Sequence, residues 1–348
     1  MQPKWAVWMV VGLVVLGAGT FSYAAAAGAK APAKADAPKA PAKPEAPKPA
    51  EEPDDGIQGL YEGTLGADKA EAKVLGQGGG AFKVLLTAGA GVKAVNAELN
   101  GKLADGKVAL AGSAGGTEWT GTIADKKLTV EAKGGAKAAL ALAVRKSPTL
   151  GEKPPAGATV ILPFEEGKAP VMDEWANATW VANPDGSMNK GRGDNKTKKS
   201  FGDMRLHLEF QCPYMPAARG QGRGNSGVYL MDRYEVQVLD SFGLEPKDNE
   251  VGGIYKVAVP KVNACLPPGQ WQTYDMVFTA PKFDASGKKV KPATVTVMLN
   301  GLKIHDNVEI PGPTGGAASK EEAKEAPLRL QDHGNTVKFR NIWVAAPK

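Results

Sequence analysis

In Leu328-Arg-Leu-Gln-Asp-His-Gly-Asn-Thr-Val-Lys-Phe-Arg-Asn-Ile-Trp343, two runs that alternate apolar and polar residues flank the polar segment 331–335. Alternation with a period of two is typical of β-strands, and a Gly-Asn pair is typical of a tight turn. The segment therefore predicts a hairpin that buries its two leucines on one face and presents Gln331 and His333 on the other. The chain holds only three histidines. His333 is thus either a candidate catalytic group or a capping residue in a surface turn.

The composition favours a large all-β protein. The chain has 348 residues, enough for two domains, and its 43% hydrophobic and 23% charged residues are typical of globular proteins. A content of Gly 43 and Pro 26, with 7% aromatics, favours many short strands and turns. The net charge is +6, but much of the lysine lies in a Pro/Ala tract and none clusters with aromatics. We therefore expect no nucleic-acid partner.

The start of the chain predicts export. Residues 1–28 combine Lys4, an apolar core and small-residue cleavage sites, which is typical of a signal peptide, with an uncleaved anchor as the alternative. Residues 29–55 alternate Ala, Pro and Lys and predict a disordered linker. We expect a periplasmic or extracellular protein with no membrane span after signal cleavage. In that oxidising compartment, Cys212 and Cys265 either form one disulfide or remain two separate buried thiols.

Residues 56–147 predict a small β-rich domain. Its strand-like runs are separated by Gly-rich turns, including Asp105-Gly106, and this spacing is typical of an antiparallel sheet or meander. The segment contains neither His nor Cys and shows no catalytic constellation. We expect a spacing or interaction module, followed by a Pro-rich joint at residues 147–155.

Residues 156–348 predict a two-sheet jelly roll, because short strand-like runs follow one another with few helical patterns. Residues 225–230 and 234–240 form a predicted antiparallel pair. In the second run, Glu235 and Gln237 share one face, and two polar side chains held at a fixed separation on a strand make a rigid ligand platform. A solvated outer face is the alternative.

Other patterns argue against most cofactors. Residues 220–225 are glycine-rich but lack the Lys-Ser/Thr of a phosphate loop, so we expect no nucleotide cofactor. His207 and Glu209 suggest part of a metal site. However, three scattered histidines without a paired motif make a zinc site unexpected, and we assign no metal ligand. A divalent cation such as calcium, bound by Asp and backbone oxygens, stays open.

Six motifs of the second domain occur in the order found in one known family. They are Arg223-Gly-Asn-Ser-Gly-Val-Tyr229, Tyr234-Glu-Val-Gln-Val-Leu-Asp240, Gly252-Gly-Ile-Tyr255, Pro267-Pro-Gly-Gln-Trp-Gln-Thr-Tyr274, Leu299-Asn-Gly301 and Leu330-Gln-Asp-His-Gly-Asn-Thr-Val-Lys-Phe-Arg-Asn-Ile342. Over residues 158–346 the chain resembles the 3-keto-disaccharide hydrolase family. The resemblance implies a concanavalin A-like lectin/glucanase sandwich and sugar chemistry, and it does not cover residues 1–150.

The resemblance also implies a reaction. A keto group on carbon three of the sugar acidifies the proton on carbon two, whose removal gives an enolate that expels the glycosidic oxygen from carbon one. Hydration of the enone then completes net hydrolysis. This route needs a base, an acid for the leaving oxygen and a donor or cation for the enolate oxygen. It does not need the paired carboxylates of ordinary glycosidases.

We expect His333 to be the general base or acid, because histidine ordinarily titrates near working pH, and Glu235 to be the second acid/base group. The expected substrate-binding residues are Arg223 for the oxyanion, Asn225, Gln237 and Gln331 for sugar hydroxyls, Tyr255 for stacking, and Asp240 and Asp332 as supporting or cation-binding groups. For Trp271, core packing is favoured over stacking. A non-catalytic carbohydrate-binding module and a structural envelope protein remain the alternatives.

Overall fold

The computed structural model describes residues 50–52, 55–90 and 94–347, whose regular secondary structure is almost entirely β-strand. Helical structure within these ranges is confined to a 3-10 turn at Gly220–Gly222. The described residues contain no helix with the length and hydropathy of a membrane span. The predicted signal peptide and most of the predicted linker lie outside the described residues.

The first part of the chain folds into a closed antiparallel barrel. Its strands are Gly59–Leu65 (β1), Asp68–Gly78 (β2), Ala81–Ala88 (β3), Val95–Ala104 (β4), Lys107–Ala114 (β5), Thr117–Ala124 (β6), Lys127–Ala132 (β7) and Lys137–Ala143 (β8). Each strand pairs with the next, and β1 pairs with β8 to close the barrel. Asp105 and Gly106 form the predicted tight turn between β4 and β5, with φ angles of 50° and 75°. Alternating inward side chains fill the barrel with an apolar core of its own.

The second part of the chain forms two facing sheets. The larger sheet contains Thr159–Leu162 (β9), Val181–Ala182 (β10), Met188–Asn189 (β11), Met204–Gln211 (β13), Gln272–Thr279 (β16), Ala293–Leu299 (β19), Leu302–Ile310 (β20) and Lys338–Ala345 (β22). The smaller sheet has the order β12-β21-β14-β15, with strands Asn195–Phe201 (β12), Ser226–Leu230 (β14), Tyr234–Val238 (β15) and Ala326–Leu330 (β21). A short hairpin, Lys282–Phe283 (β17) with Lys289–Lys291 (β18), lies apart.

One apolar core lies between the two sheets. Alternate residues of β13 (Met204, Leu206, Leu208 and Phe210) belong to it, as do alternate residues of β15 and β21. The polar residues between them consequently point to the outer faces of the sandwich. The fold prediction, an all-β protein with a jelly-roll sandwich after a smaller antiparallel domain, is confirmed.

The hairpin predicted at residues 328–343 is wrong. Strand β21 pairs with β12 and β14 in the smaller sheet, whereas β22 pairs with β13 in the larger sheet. The polar segment between them therefore crosses from one sheet to the other. Gly334 does make a local turn with φ of 80°. Alternation alone cannot distinguish a strand that returns to its own sheet from one that joins the opposite sheet.

The barrel and the sandwich belong to one compact unit. Leu75 of β2 is part of the sandwich core rather than of the barrel core. Gly243 lies close to Leu75, since a Cβ added to Gly243 would sit 2.5 Å from Cδ2 of Leu75. The Pro-rich joint also contacts the larger sheet, since Thr149 Oγ1 donates to Asp275 at 2.6 Å.

Candidate functional site

The outer face of the smaller sheet carries a row of polar side chains. Glu235 and Gln237 of β15 lie opposite Tyr229 and Gly227 of β14 in the antiparallel register. Glu235 and Gln237 are nevertheless only 3% and 1% exposed. Their burial shows that this outer face is covered.

Residues 311–325, which we call the strap, provide part of this cover. Thr314 Oγ1 accepts a hydrogen bond from the backbone N–H of Glu235 at 3.1 Å and donates to the carbonyl of Arg233 at 3.0 Å. Gly316 lies against Tyr229 so closely that a Cβ there would sit 2.1 Å from the phenol oxygen. The strap thus needs a glycine at this point and encloses the Glu235–Tyr229 pair.

Glu235 has the electrostatics of an acid/base group. Burial raises the pKa of Glu235 to about 7, although a hydrogen bond from Tyr229 and the positive charge of Arg329 act in the opposite direction. The pKa of Tyr229 is itself raised by burial and by Glu235, so the phenol stays neutral and donates. A carboxyl group with this pKa can release or accept a proton near neutral pH.

Arg329 of β21 holds the Tyr229 ring in place. Its guanidinium lies 3.6 Å from the centre of that ring. It forms ion pairs with Asp194 and with Asp232, and it donates to the carbonyl of Gly316 at 2.6 Å. Because two carboxylates compensate its charge, Arg329 is a fixed support for Tyr229 and for the strap.

Three amide side chains, Gln221, Asn225 and Gln237, form what we call the carboxamide cluster. Gln237 Nε2 donates to Gln221 Oε1 at 2.9 Å, and Asn225 Nδ2 donates to the carbonyl of Gln221 at 2.7 Å. Oδ1 of Asn225 is buried and accepts no hydrogen bond from the described residues. A buried acceptor without a donor is costly, and a sugar hydroxyl is a donor of the right kind.

The crossing segment between β21 and β22 brings the next predicted residues to the same sheet. Gln331 donates from its backbone N–H to the carbonyl of Gly227 at 3.0 Å and from Nε2 to the Tyr229 hydroxyl at 3.3 Å. The Asp332 carboxylate accepts from the N–H groups of Gly193 and Gly334, each at 2.9 Å. Asp332 therefore fixes the turn on which half-buried His333 sits.

Tyr255 lies at the edge of the same sheet. Its backbone N–H donates to the carbonyl of Glu235 at 3.1 Å. Since the preceding Ile254 points into the sandwich core, Tyr255 faces outward with Glu235. Its ring packs against Gly315 of the strap, where a Cβ would lie 3.6 Å from the ring. Tyr255 is thus placed to border a ligand.

Arg223 and Asp240 form a separate, interior pair. Arg223 Nε donates to Asp240 Oδ2 at 2.7 Å, and the two residues are 4% and 1% exposed. Asp240 and Cys212 flank Gly224. A Cβ added to Gly224 would lie 3.3 Å from the Cβ of Asp240 and 3.1 Å from the Cβ of Cys212. Cys212 and Cys265 are both buried, free thiols. Arg223 thus pairs with Asp240 rather than with Glu235, and the carboxylate of Asp240 compensates the charge of Arg223 in the interior.

A second polar cluster lies on the outer face of the larger sheet. His207 Nδ1 lies 2.7 Å from Asp275 Oδ1, and Glu209 accepts from Arg340 at 2.7 Å. Burial alone would lower the pKa of His207, but hydrogen bonds to Asp275 and Glu209 raise it to about 9. Trp271 belongs to this side, with its ring 4.0 Å from the Arg340 guanidinium.

Within the described part of the chain, Glu152, His207 and Asp275 of this cluster lie close enough together to have the spacing of metal ligands. Its charges are already balanced. Arg205 pairs with Glu152 at 2.7 Å and Arg340 pairs with Glu209, while protonated His207 pairs with Asp275. These ion pairs fasten the joint that carries Glu152 to the sheet.

Three residues of the site were not predicted, namely Gln221, Tyr229 and Arg329. A signal for two of them was available. Tyr229 shares a face with Glu235 once the predicted strand pair is put in register, and Arg329 alternates with the buried leucines of β21. Gln221 lies in a turn without periodicity, so no pattern singles it out.

The comparisons with known proteins concern the sandwich. The sequence profile of the 3-keto-alpha-glucoside-1,2-lyase-like domain matches residues 161–345. A proposed glycosyl hydrolase from Parabacteroides distasonis is 34% identical, with 56% of this chain and 85% of that chain covered and a TM-score of 0.50. Another from the same organism is 18% identical, with 51% and 90% covered and a TM-score of 0.38, too low to support an argument. No curated protein matches the chain.

Proposed function

Because the chain belongs to the 3-keto-alpha-glucoside-1,2-lyase-like family over residues 161–345, we propose that it cleaves the glycosidic bond of 3-keto-glycosides or 3-keto-disaccharides. Membership of this family makes it a carbohydrate-active protein of glycosidase type. The observation that carries this proposal is Glu235, a buried carboxyl group with a pKa of about 7. It lies on a sheet face that also bears Tyr229 and the carboxamide cluster.

The proposed reaction begins with proton transfer to Glu235. The carboxylate takes the proton from carbon two, which the neighbouring ketone acidifies, and the electron pair forms an enolate. The bond from carbon one to the glycosidic oxygen then breaks, and a carbon–carbon double bond forms between carbons one and two. Addition of water across that double bond, with oxygen to carbon one and hydrogen to carbon two, gives the free 3-keto sugar.

The other roles follow from the chemistry of the side chains. His333 is the proposed acid for the departing glycosidic oxygen. The carboxamide cluster and Gln331 bind sugar hydroxyls, since amides both donate and accept hydrogen bonds. Tyr229 keeps Glu235 oriented, as a hydrogen-bonded neighbour does for a general base. Tyr255 borders the sugar.

The test is incubation of the purified protein with 3-keto-lactose and 3-keto-trehalose, with and without a chelator. Released monosaccharide supports the enzyme, and loss of release with the chelator adds a divalent cation to the mechanism. Saturable binding without product would instead support a non-catalytic carbohydrate-binding module. Neither binding nor product would support a structural envelope protein.

The role of Glu235 is tested by Glu235→Gln. Loss of the general base should lower turnover by about a hundredfold or more. Glu118→Gln is the matched control, because Glu118 is an exposed carboxylate of the barrel and should leave turnover unchanged. Wild-type turnover in Glu235→Gln would remove Glu235 from the mechanism.

We also propose that the protein is exported and acts in the periplasm or outside the cell. The support is the signal-like sequence of residues 1–28 and the spacer that follows it. Cell fractionation with an antibody against the sandwich tests this, and recovery only from the cytoplasm would contradict it.

A further inference from the structure

The end of barrel strand β2 is shaped to receive a segment of the sandwich. Gly76 lies so close to Tyr214 that a Cβ would sit 2.2 Å from the phenol oxygen, and a Cβ on Gly78 would sit 2.9 Å from that of Ala217. Gly78 also has φ of 85°, a conformation that favours glycine. Any larger residue at either position would displace residues 214–217.

Arg219 ties the same two parts together. Its Nη2 donates to both the carbonyl oxygen and Oε1 of Gln77, each at 3.0 Å. Its Nη1 donates to the carbonyls of Pro216 and Ala218 at 2.5 Å and 2.8 Å. The planar guanidinium thus holds barrel and sandwich acceptors at once, a geometry that lysine cannot reproduce.

A hydrogen-bonded turn connects Arg219 to the carboxamide cluster. The N–H of Gly222 donates to the carbonyl of Arg219 at 3.2 Å, and the N–H of Arg223 donates to that of Gly220 at 3.1 Å. Gln221 lies inside this turn, between Arg219 and Asn225. It bonds to Gln237 and Asn225, and its Nε2 donates to the carbonyl of Asn249 at 2.7 Å.

We propose that the barrel is a working part of the site, and that Arg219 is a positioning residue which sets the carboxamide cluster through Gln221. The inference deepens the proposed function, on which its kinetic readout rests. Displacing Arg219 from Gln77 releases the turn, and Gln221 then no longer aligns Gln237 and Asn225 for the sugar hydroxyls. The barrel accordingly contributes to substrate affinity without supplying a catalytic group.

The first test is the kinetics of Arg219→Ala with a 3-keto-glucoside. KM should rise by about tenfold while kcat changes little, because binding contacts common to the ground and transition states are weakened. Gln77→Ala should give a smaller rise, since the backbone carbonyl of Gln77 remains as an acceptor. Arg145→Ala is the matched control. Among the described residues, Arg145 forms its ion pairs with Glu62 and Glu71 of the barrel, so its loss should leave KM unchanged.

A double-variant cycle tests whether Arg219 acts through Gln221. The variant carrying both Arg219→Ala and Gln221→Ala should have the same KM as Gln221→Ala alone, because interacting groups are not additive. If the two substitutions instead raise KM by independent factors that multiply in the double variant, the proposal is overturned. An unchanged KM in Arg219→Ala would also overturn it. Arg219→Lys should not restore the wild-type KM.

Hydrogen exchange separates this inference from the proposed function. Amides of residues 220–226 should exchange at least about tenfold faster in Arg219→Ala than in wild type or in Arg145→Ala. If wild-type protein cleaves no 3-keto sugar, the proposed function fails, and the exchange result alone decides the inference. Unchanged exchange of residues 220–226 in both Arg219→Ala and Gln77→Ala would overturn it.

Discussion

Glu235 is buried as a carboxyl group, and its ionisation weakens the folded state. Its folded pKa is about 7, against an ordinary value of 4.5. The folded protein thus binds the Glu235 proton more tightly than the unfolded chain does, and stability is lost as pH rises from 4.5 to 7. At pH 8 the loss amounts to about 3 kcal/mol.

Glu235→Gln should therefore stabilise the protein while it removes activity. The free energy of unfolding should increase by up to about 3 kcal/mol at pH 8 and change little at pH 4.5, because the amide cannot ionise. Urea unfolding at the two pH values measures this. Equal stabilisation at both values would show that the charge is not the cause.

Tyr229 tunes the same carboxyl group. Its hydrogen bond lowers the pKa of Glu235, so Tyr229→Phe should raise that pKa further. The rising limb of kcat/KM against pH should lie near 7 for wild type and should move to higher pH in this variant. Tyr234→Phe is the control, because the Tyr234 hydroxyl donates to Glu322. A limb that stays in place in Tyr229→Phe would exclude this coupling.

Among the elements, strand β13 owes part of its stability to a buried histidine on its outer face. The folded pKa of His207 is about 9, against 6.5 ordinarily. The sign is opposite to that of Glu235. The contribution of His207 is fully present below pH 6.5 and is lost as pH rises through 9. It amounts to about 3 kcal/mol at most.

Wild-type protein should therefore become easier to unfold between pH 7 and pH 10. His207→Gln should be less stable than wild type at pH 6.5 but should lack most of this pH dependence. Urea midpoints of both proteins across the range measure the difference. Parallel curves for the two proteins would mean that His207 is neutral in the folded state.

Strand positions could be predicted from the sequence more completely than sheet membership. Alternation located β14 and β15, and the Asp-Gly pair at Asp105-Gly106 located a hairpin turn, because these signals are local. Closure of the barrel by β1 and β8 and the crossing from β21 to β22 depend on contacts between distant parts of the chain. No periodicity encodes such contacts.

The same distinction applies to the site. Glu235 and Gln237 could be placed on one face, since their spacing along a strand requires it. Arg223 and Asp240 also occur in motifs of the family resemblance, but the fold turns both inward to pair with each other. Part of the cover over Glu235 comes from the strap, which has no regular pattern and lies far from Glu235 in sequence.

For the whole molecule, Leu75 is a buried barrel side chain that belongs to the sandwich core, and half-buried Leu85 of β3 packs against the same core. Leu75→Ala should lower the free energy of unfolding by about 2–5 kcal/mol and should separate one thermal transition into two. Leu99→Ala, which truncates a leucine of the barrel core, should cost a similar amount without weakening the attachment. Calorimetry of both variants distinguishes these outcomes. A single transition in Leu75→Ala would show that other contacts suffice to couple the two parts.

The pairing of β1 with β8 has a consequence for how this chain can be rearranged. Leu60 and Ala143 are partners across the two strands, so the chain enters and leaves the barrel at neighbouring points. A segment whose two ends lie side by side can be removed or replaced, because a short linker then joins the flanking residues without moving them. Exchange of the barrel for another module that fills the space of Leu75 is thus a genetic change that this chain path accommodates.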